Sequence, residues 1–344
     1  MRFLAIEHCL PSKAVTNEAQ LEDVILKSEA YLSAHDVRDL RSRLQKSLDL
    51  TRTRVRYLRG PNETARDVGI RAGQLALHAS GLNPKDIDLL LYAGVARGFL
   101  EPATATIFQD ALGLVNSSCF DLLDACASWL RALDTAHALI KMKKHETVMI
   151  LNCECNYELA DLAFRHLEDI DFKFPMLTIG EAATATIVTS SGGEDSYYAT
   201  FKSWGQHRGL CQIPLPHYRQ FENGSASNDL QSLTFYSYGE RLFKVVFRKI
   251  IEHYRSDQRI NLFEPDIVFS HSASDAFSER VAQALDLRNV YLTHSLFGNT
   301  VAASIPLGMS HAIKHEILKP GMSVLIGCGS AGITTAWCRF EYTN

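Results

Sequence analysis

Residues 126–151, CASWLRALDTAHALIKMKKHETVMIL, align without a gap with residues 301–326, VAASIPLGMSHAIKHEILKPGMSVLI. Each stretch opens on small residues and continues with apolar side chains at three-four spacing, the pattern of a half-buried helix. Each then passes a basic stop, Lys143-Lys144 or Lys319, and enters an apolar strand at 148–151 or 324–326. The match extends outward. Asp88-Leu-Leu-Leu-Tyr pairs with Asp266-Ile-Val-Phe-Ser, 107–114 with 281–287, and 180–188 with 327–337. The last two segments both read as strand–turn–strand with Gly at the tight place. Five matches in one order predict two copies of a β-α-β-α-β unit, and so an α/β protein whose sheets are covered by helices.

The boundary falls near Ser190-Ser-Gly-Gly-Glu-Asp, which divides the chain into an N-terminal half, 1–190, and a C-terminal half, 191–344. Segments 13–50 and 152–178 exceed the repeat. Residues 17–48 read as mostly helical and charged. Residues 156–178 have no clear period and are expected to form a loop over a site. Residues 205–230 read as loop.

With 344 residues, 46% of them hydrophobic, the chain can bury a large core without disulfide or metal staples. Lys and Arg number 35 against 39 Asp and Glu, so no basic balance points to nucleic acid or an anionic membrane. No run of about eighteen apolar residues predicts a membrane span. Glu7 and Pro11 interrupt the region where a signal peptide would keep an apolar stretch, so a cytoplasmic protein is expected. In that compartment the eight Cys are expected to be reduced. Cys153 and Cys155 have no second ligand pair downstream, and no metal is expected. No G-x-G-x-x-G separates a strand from a helix at the start of either half, which sets aside a dinucleotide-dependent dehydrogenase.

Ligands of α/β sheets gather at the carboxyl ends of strands. After a strand at 119–123 comes Asp124-Ala125-Cys126-Ala127-Ser128. After 267–270 comes His271, and after 290–293 comes Gly298-Asn299-Thr300. If 126 and 301 are repeat equivalents, Cys126 and Asn299 meet across the pseudo-dyad, and His271 reaches the same spot. A Cys in the first turn of a helix has its thiolate stabilised by free N–H groups and the helix dipole. A neighbouring His adds a proton acceptor or a cation. Each residue alone has an ordinary structural explanation: a buried thiol, a core His, an N-cap Asn. Together, at equivalent strand ends, they predict a catalytic constellation. Asp124 would raise the thiol pKa unless its side chain turns away into a structural hydrogen bond, which is the expectation.

At these residues the sequence resembles the thiolase-fold condensing enzymes, above all the β-ketoacyl-ACP synthase III family. The resemblance runs from Leu10-Pro11…Val15-Thr16-Asn17 through Thr51-Arg52-Thr53 and Pro61-Asn62-Glu63-Thr64. It continues through Gly239…Phe243-Lys244-Val245 and Gly298-Asn299-Thr300…Ala303-Ser304-Ile305-Pro306 to the Gly-rich segment 327–334. It implies a five-layered αβαβα arrangement and a Cys126, His271, Asn299 triad. Cys126 would hold an acyl group. His271 and Asn299 would donate to the carbonyl of a second thioester, stabilising its enolate. The N–H groups of Cys126 and Ala331 would form the oxyanion hole. The resemblance further implies a homodimer, CoA or acyl carrier protein thioesters as substrates, and no cofactor or metal.

Several positions depart from the family. Ser272-Ala273-Ser274 replaces Gln-Ala-Asn, Glu240 replaces an Asn after Gly239, and Leu48 stands where a Trp flanks the adenine of CoA. Arg52 matches the adenine-contacting Arg. Arg52, Gly239 and Ser274 are thus the candidate CoA or pantetheine contacts, and carrier-protein delivery of at least one substrate is expected. Glu101 stands where many relatives have Phe, at a position reaching the partner subunit's acyl tunnel. It reads either as a general base with a raised pKa or as a solvated acid before a helix. The leading expectation is a C–C bond-forming synthase. The alternatives are a same-fold acyltransferase acting on a hydroxyl or amine, and an inactive partner subunit.

Overall fold

The computed structural model describes residues 1–190, 196–221 and 230–343. The expected boundary at 191–195 lies outside the described residues. Ten strands build two five-stranded sheets. The N-terminal sheet contains β1 (Arg2–Cys9), β2 (Leu89–Ala93), β3 (Ser118–Leu122), β4 (Thr147–Glu154) and β5 (Ala182–Thr189), in the order β1-β5-β4-β2-β3. The C-terminal sheet contains β6 (Tyr198–Ser203), β7 (Ile267–Ser270), β8 (Val290–Tyr291), β9 (Ser323–Ser330) and β10 (Thr334–Glu341), in the order β6-β10-β9-β7-β8. The two orders are the same. In each sheet three neighbouring strands run parallel, β4-β2-β3 and β9-β7-β8, and the returning strands β5 and β10 run antiparallel to them.

Eight helices matter to the site. They are α1 (Asn17–Ser28), α2 (Ala34–Thr51), α3 (Ala65–Ser80), α4 (Thr104–Ala111), α5 (Ser128–Lys141), α6 (Gly239–Ser256), α7 (Asp275–Ala284) and α8 (Ser304–Lys314). Helices α5 and α8 lie between the sheets, where Trp129, Leu133, Ile305 and Met309 share one buried cluster with both. Helices α3 and α4 cover the outer face of the first sheet, and α6 and α7 that of the second. This is the five-layered αβαβα thiolase-like fold. Burying each large aliphatic side chain in these layers contributes about 1.5–3 kcal/mol.

Two expectations about the repeat are corrected. The repeat register is off by one residue: β4 and β9, and the starts of α5 and α8, are each separated by 176 positions, which pairs Cys126 with Ala302. Backbone and hydrogen bonding agree on this register. Ala125 and Val301 both occupy the left-handed region, with φ of 43° and 49°. Asp88 accepts from the Thr147 N–H at 3.4 Å, and Asp266 from the equivalent Ser323 N–H at 2.8 Å. Small residues crowd both helix starts, so composition alone could not resolve a slip of one. The second correction concerns 180–188, which is one strand rather than two. Its partner is β4, and residues 155–181 fill the place of the short turn that joins β9 to β10.

The segments outside the repeat pack together. Leu40, Leu44 and Leu48 on one face of α2 join Leu21 and Val24 of α1, and Phe164, Met176 and Leu177 from the 155–181 excursion. Ser33 caps α2 through the Asp36 N–H at 3.2 Å. Residues 205–230 are not simply loop: a 3-10 turn spans Gly205–Leu210, and Cys211–Gln212 pairs with Tyr236–Ser237. Residues 222–229 lie outside the described residues.

Two matched ties fasten the halves at the pseudo-dyad. Glu154, which ends β4, accepts the Val95 and Ala96 N–H groups at 3.0 and 3.1 Å. It also accepts the Ala302 N–H from the turn that opens α8. Ser330, its repeat equivalent on β9, accepts the Ala127 N–H at 3.3 Å and donates to the Asp124 carbonyl at 2.9 Å. Each half therefore holds the other's helix start.

A third junction brings backbone against backbone. Ile179 bridges Asn299, with the Asn299 N–H donating to Thr178 at 2.7 Å and the Gly180 N–H donating to Asn299 at 3.0 Å. A Cβ at Gly180 would lie 2.2 Å from the Phe297 carbonyl oxygen, so only glycine permits this approach.

Gly180→Ala is expected to destabilise the protein by about 1–3 kcal/mol, read from the denaturant midpoint. Burial pushes the Glu154 carboxyl up from 4.5 to about 7, against its three backbone donors. Between those values the folded chain binds more protons than the unfolded one, so this group makes stability fall as pH rises. Urea unfolding at about pH 5 and about pH 7.5 should show wild type losing stability relative to Glu154→Gln at the higher pH. A pH-independent difference between the two proteins would remove this assignment.

Candidate active site

Cys126, His271 and Asn299 line a single cavity of about 710 Å³. Its mouth lies between the end of α2 (Ser47, Leu50, Thr51) and the start of α6 (Gly239, Glu240), with Ala273 beside them. The excursion covers it through Leu159, Phe174, Met176 and Ile179, as expected for a loop over a site.

Cys126 sits in the 3-10 turn Ala125–Ala127 that opens α5. The left-handed Ala125 makes this turn sharp and presents the thiol at the sheet's carboxyl edge. The Ala331 N–H hydrogen-bonds the sulfur, and the Cys126 N–H also favours the thiolate. Burial is the larger effect, reinforced by the nearby Cys211 and Glu154, and it pushes the thiol well above the ordinary Cys range. The expectation of a dipole-stabilised thiolate is thus corrected: in the resting site desolvation outweighs the helix start. Asp124 behaves as expected. Its carboxylate turns away to Arg131 at 2.8 Å, and that guanidinium stacks on Phe201 at 3.7 Å.

His271 follows β7, its N–H donating to Gly327 at 3.1 Å. Its Nδ1 lies 2.9 Å from Ser304 Oγ, which also accepts the Ser272 N–H at 3.3 Å. Burial and the neighbouring His294 push its pKa down from 6.5 to about 4, and a hydrogen bond to the Val301 carbonyl opposes this only in part. The imidazole is neutral at physiological pH. Asn299 Oδ1 accepts the Val301 N–H at 3.0 Å, which fixes the amide and leaves Nδ2 as the donor end. One left-handed residue, Val301, therefore orients both His271 and Asn299 through its two peptide groups.

The other predicted positions are dispersed. Ala331 and Gly239 line the cavity. Arg52 is an exposed left-handed cap of α2, paired with Glu279 at 2.6 Å just outside the mouth. Ser274 does not line the cavity. It caps α7 through the Phe277 N–H and donates to the Thr51 carbonyl, both at 3.3 Å. Leu48 is buried against α1 rather than facing the mouth. Glu240 is exposed and paired with Lys244. Glu101 is exposed and lies away from the cavity wall, beside the exposed Phe99 and Leu100.

Sequence reasoning missed Glu154, Ser330, Val301 and Cys211. Only Glu154 carried a signal, as a lone acid closing an otherwise apolar strand. Among the described residues, no cluster of His, Cys, Asp and Glu could hold a metal ion, and no helix is long and apolar enough to cross a membrane. All eight cysteines are free thiols.

Comparison with known proteins agrees with this architecture. The sequence model of 3-oxoacyl-(acyl-carrier-protein) synthase III matches residues 120–205, and that of its C-terminal region matches 257–342, together half of the chain. β-Ketoacyl-(acyl-carrier-protein) synthase III of Clostridium acetobutylicum is 24% identical over 97% of this chain and 96% of its own length. That of Aliarcobacter butzleri is 26% identical over 99% and 97%. Among solved structures, OleA of Xanthomonas campestris, crystallised with lauric acid and lauroyl-CoA, superposes with a TM-score of 0.83 at 16% identity, covering 99% of this chain and 98% of that one. The Aquifex aeolicus 3-oxoacyl-(acyl-carrier-protein) synthase III superposes with a TM-score of 0.81 at 24% identity, covering 99% of both. With its paired sheets, its Cys-bearing helix start and both family models in sequence order, the chain belongs to the 3-oxoacyl-(acyl-carrier-protein) synthase III family of thiolase-fold condensing enzymes.

Proposed function

We propose that this condensing enzyme carries its acyl intermediate on Cys126 and uses His271 and Asn299 in the condensation. In the first half-reaction Cys126 Sγ attacks the carbonyl of an acyl thioester. A new C–S bond forms, the old one breaks, and the thiol proton leaves with the departing thiol of CoA or phosphopantetheine. In the second, a malonyl thioester loses CO2, or another acyl thioester gives up an α-proton to a base, to yield an enolate. Its carbon attacks the acyl-Cys126 carbonyl, and the cysteine sulfur departs as the thiolate and takes a proton from solvent.

The observation that carries this reading is the shared anchoring of His271 and Asn299 on Val301, beside Cys126 in one cavity. The oriented amide donates to a developing enolate oxygen, and the one N–H of the neutral imidazole, held by the Val301 carbonyl in the resting site, joins it when the substrate carbonyl displaces that contact. The Ala331 N–H already meets the Cys126 sulfur, which supports the pair Cys126 and Ala331 as the oxyanion hole. No prosthetic group enters this scheme. The retained Asn299 favours condensation over acyl transfer to a hydroxyl or amine, and intact Cys126 and His271 speak against an inactive partner subunit. Curated relatives named for acyl carrier protein, and the unmatched CoA contacts, support carrier-protein delivery of at least one substrate.

The reading extends to a cytoplasmic homodimer. Edge strand β3 is flanked by exposed Val115, Phe120 and Leu123, and Phe99 and Leu100 adjoin Glu101. Pairing of this edge with a second copy would continue the sheet and bring Glu101 toward the partner's cavity.

Intact-protein mass after incubation with acyl-CoA and acyl-carrier-protein thioesters should show an acyl-sized gain that Cys126→Ala abolishes. Asn299→Ala should still load but condense about 10²–10³-fold more slowly. A gain that persists in Cys126→Ala would overturn the nucleophile assignment. Because His271 titrates near 4, the acid limb of condensation should lie well below the ordinary imidazole range. Iodoacetamide modification of Cys126 should rise with pH beyond the ordinary Cys range of about 8.5.

A further inference from the structure

The repeat brings two serine hydroxyls into comparison. Helix α5 opens on Ser128 and α8 on Ser304, 176 positions apart, and both residues are buried. Ser128 closes its own turn. Its hydroxyl donates to the Ala125 carbonyl at 2.7 Å and accepts the Asp124 N–H at 2.8 Å. Val301 is the equivalent of Ala125 and shares its left-handed backbone, yet Ser304 does not repeat that bond. The Val301 carbonyl meets the His271 ring instead. Ser304 Oγ lies 2.9 Å from His271 Nδ1. The imidazole thus stands between a carbonyl and a hydroxyl whose counterparts bond each other in the first half.

Hydrogen-bond accounting then places the ring proton. A serine hydroxyl has one proton to give, and its oxygen can accept as well. Ser304 Oγ accepts the Ser272 N–H at 3.3 Å, and among the described residues its one remaining partner is His271 Nδ1. A proton on Nδ1 would leave the buried Ser304 O–H with no acceptor, so the hydroxyl donates and Nδ1 accepts. The neutral ring therefore carries its proton on Nε2, the nitrogen turned away from Ser304, in a side chain that lines the cavity. A second buried histidine shows the opposite arrangement. His294 Nδ1 lies 2.8 Å from the Ser272 carbonyl, which can only accept, so its proton sits on Nδ1. Its Nε2 accepts from Thr53 Oγ1 at 2.7 Å. Ser272, directly after His271, is in this way held at its N–H by Ser304 and at its carbonyl by His294.

We propose that Ser304 is a positioning residue of the condensation step: its hydroxyl donates to His271 Nδ1 and holds the imidazole as the Nε2–H tautomer, which keeps the ring's one donor on the cavity side. The inference rests on the reading of His271 as a donor to the enolate oxygen. Which ring nitrogen carries the proton is set by the hydrogen bond that the other one makes. In the opposite tautomer the ring would turn a bare lone pair toward the developing oxyanion and would repel it where a donor is needed. The two serines of the repeat thus divide the work. Ser128 shapes the turn that carries Cys126, and Ser304 gives up the same turn-closing bond to hold His271.

The test reads the tautomer directly. Long-range proton–nitrogen correlation spectra are recorded near neutral pH on the full chain labelled with 15N-histidine. His271 and His294 are assigned by the signals missing from His271→Asn and His294→Gln. In wild type, His271 should show a protonated Nε2 and a bare Nδ1, and His294 the reverse. In Ser304→Ala the His271 Nδ1 signal should move toward the protonated position while His294 stays as it was. Ser304→Thr, which keeps a hydroxyl, should retain the wild-type pattern. The rate of condensation relative to Cys126 loading should fall at least about tenfold in Ser304→Ala and recover in Ser304→Thr. The wild-type spectrum needs no altered chain to fold: a proton on His271 Nδ1 there overturns the proposal. So does a spectrum, or a condensation-to-loading ratio, that is indifferent to loss of the hydroxyl. A wild-type condensation rate in His271→Asn would instead sink the reading of His271 itself, and the nitrogen spectrum would still decide whether Ser304 sets its tautomer.

Discussion

The crossed hydrogen bonds at the pseudo-dyad are the constraint on which the site depends. A helix start leaves N–H groups without intrahelical partners, and burying two such starts against each other would strand them. Glu154 answers the Ala302 N–H from one side, and Ser330 answers the Ala127 N–H from the other. Because each acceptor ends a strand of the opposite half, the two turns cannot move independently. Cys126 lies on one turn, and Asn299 and Val301 on the approach to the other. The relative placement of Cys126, His271 and Asn299 is therefore a property of the interface between the repeats.

The electrostatics follow from the same burial. A thiol held in its neutral form and an imidazole pushed down to about 4 leave the resting triad uncharged. Such a site has no ion to desolvate when an apolar group enters it. It also means that the donors are oriented before any charge develops. The Asn299 amide is already fixed by the Val301 N–H and the Ala331 N–H already meets the Cys126 sulfur, and donors oriented in advance are the ones that stabilise a developing charge most. Glu154 is a buried acid retained for its three backbone contacts at the cost of a raised pKa.

Pseudo-symmetry also exposes what each half specialises in. The first half carries Cys126 and a solid outer layer. The second carries His271 and Asn299 and an outer layer whose core side chains also line the cavity. The same strand position carries Leu151 in one copy and Gly327 in the other, where the Trp337 ring takes the space. The asymmetry in side-chain volume, rather than any change of topology, separates the two halves.

The repeat, the α/β class and the placement of Cys126, His271 and Asn299 at strand ends were all legible in the chain, because periodicity and small-residue runs are local properties. So were the helical nature of 17–48 and the covering role of 156–178. The one-residue register was not legible, since runs of Ala and Ser at 125–128 and 301–304 fit either frame until Asp88 and Asp266 found their partners on β4 and β9. The single strand at 182–189 was hidden because its partner precedes a long excursion. The sequence by itself indicated most of the elements and brought Cys126, His271 and Asn299 forward as candidates. Only the tertiary structure decided that burial outweighs the helix dipole at Cys126, that Ser274 and Leu48 serve packing, and that Glu154 and Ser330 tie the halves. Those outcomes are sums of desolvation and non-local hydrogen bonding, and they exist only once the two repeats have closed on each other.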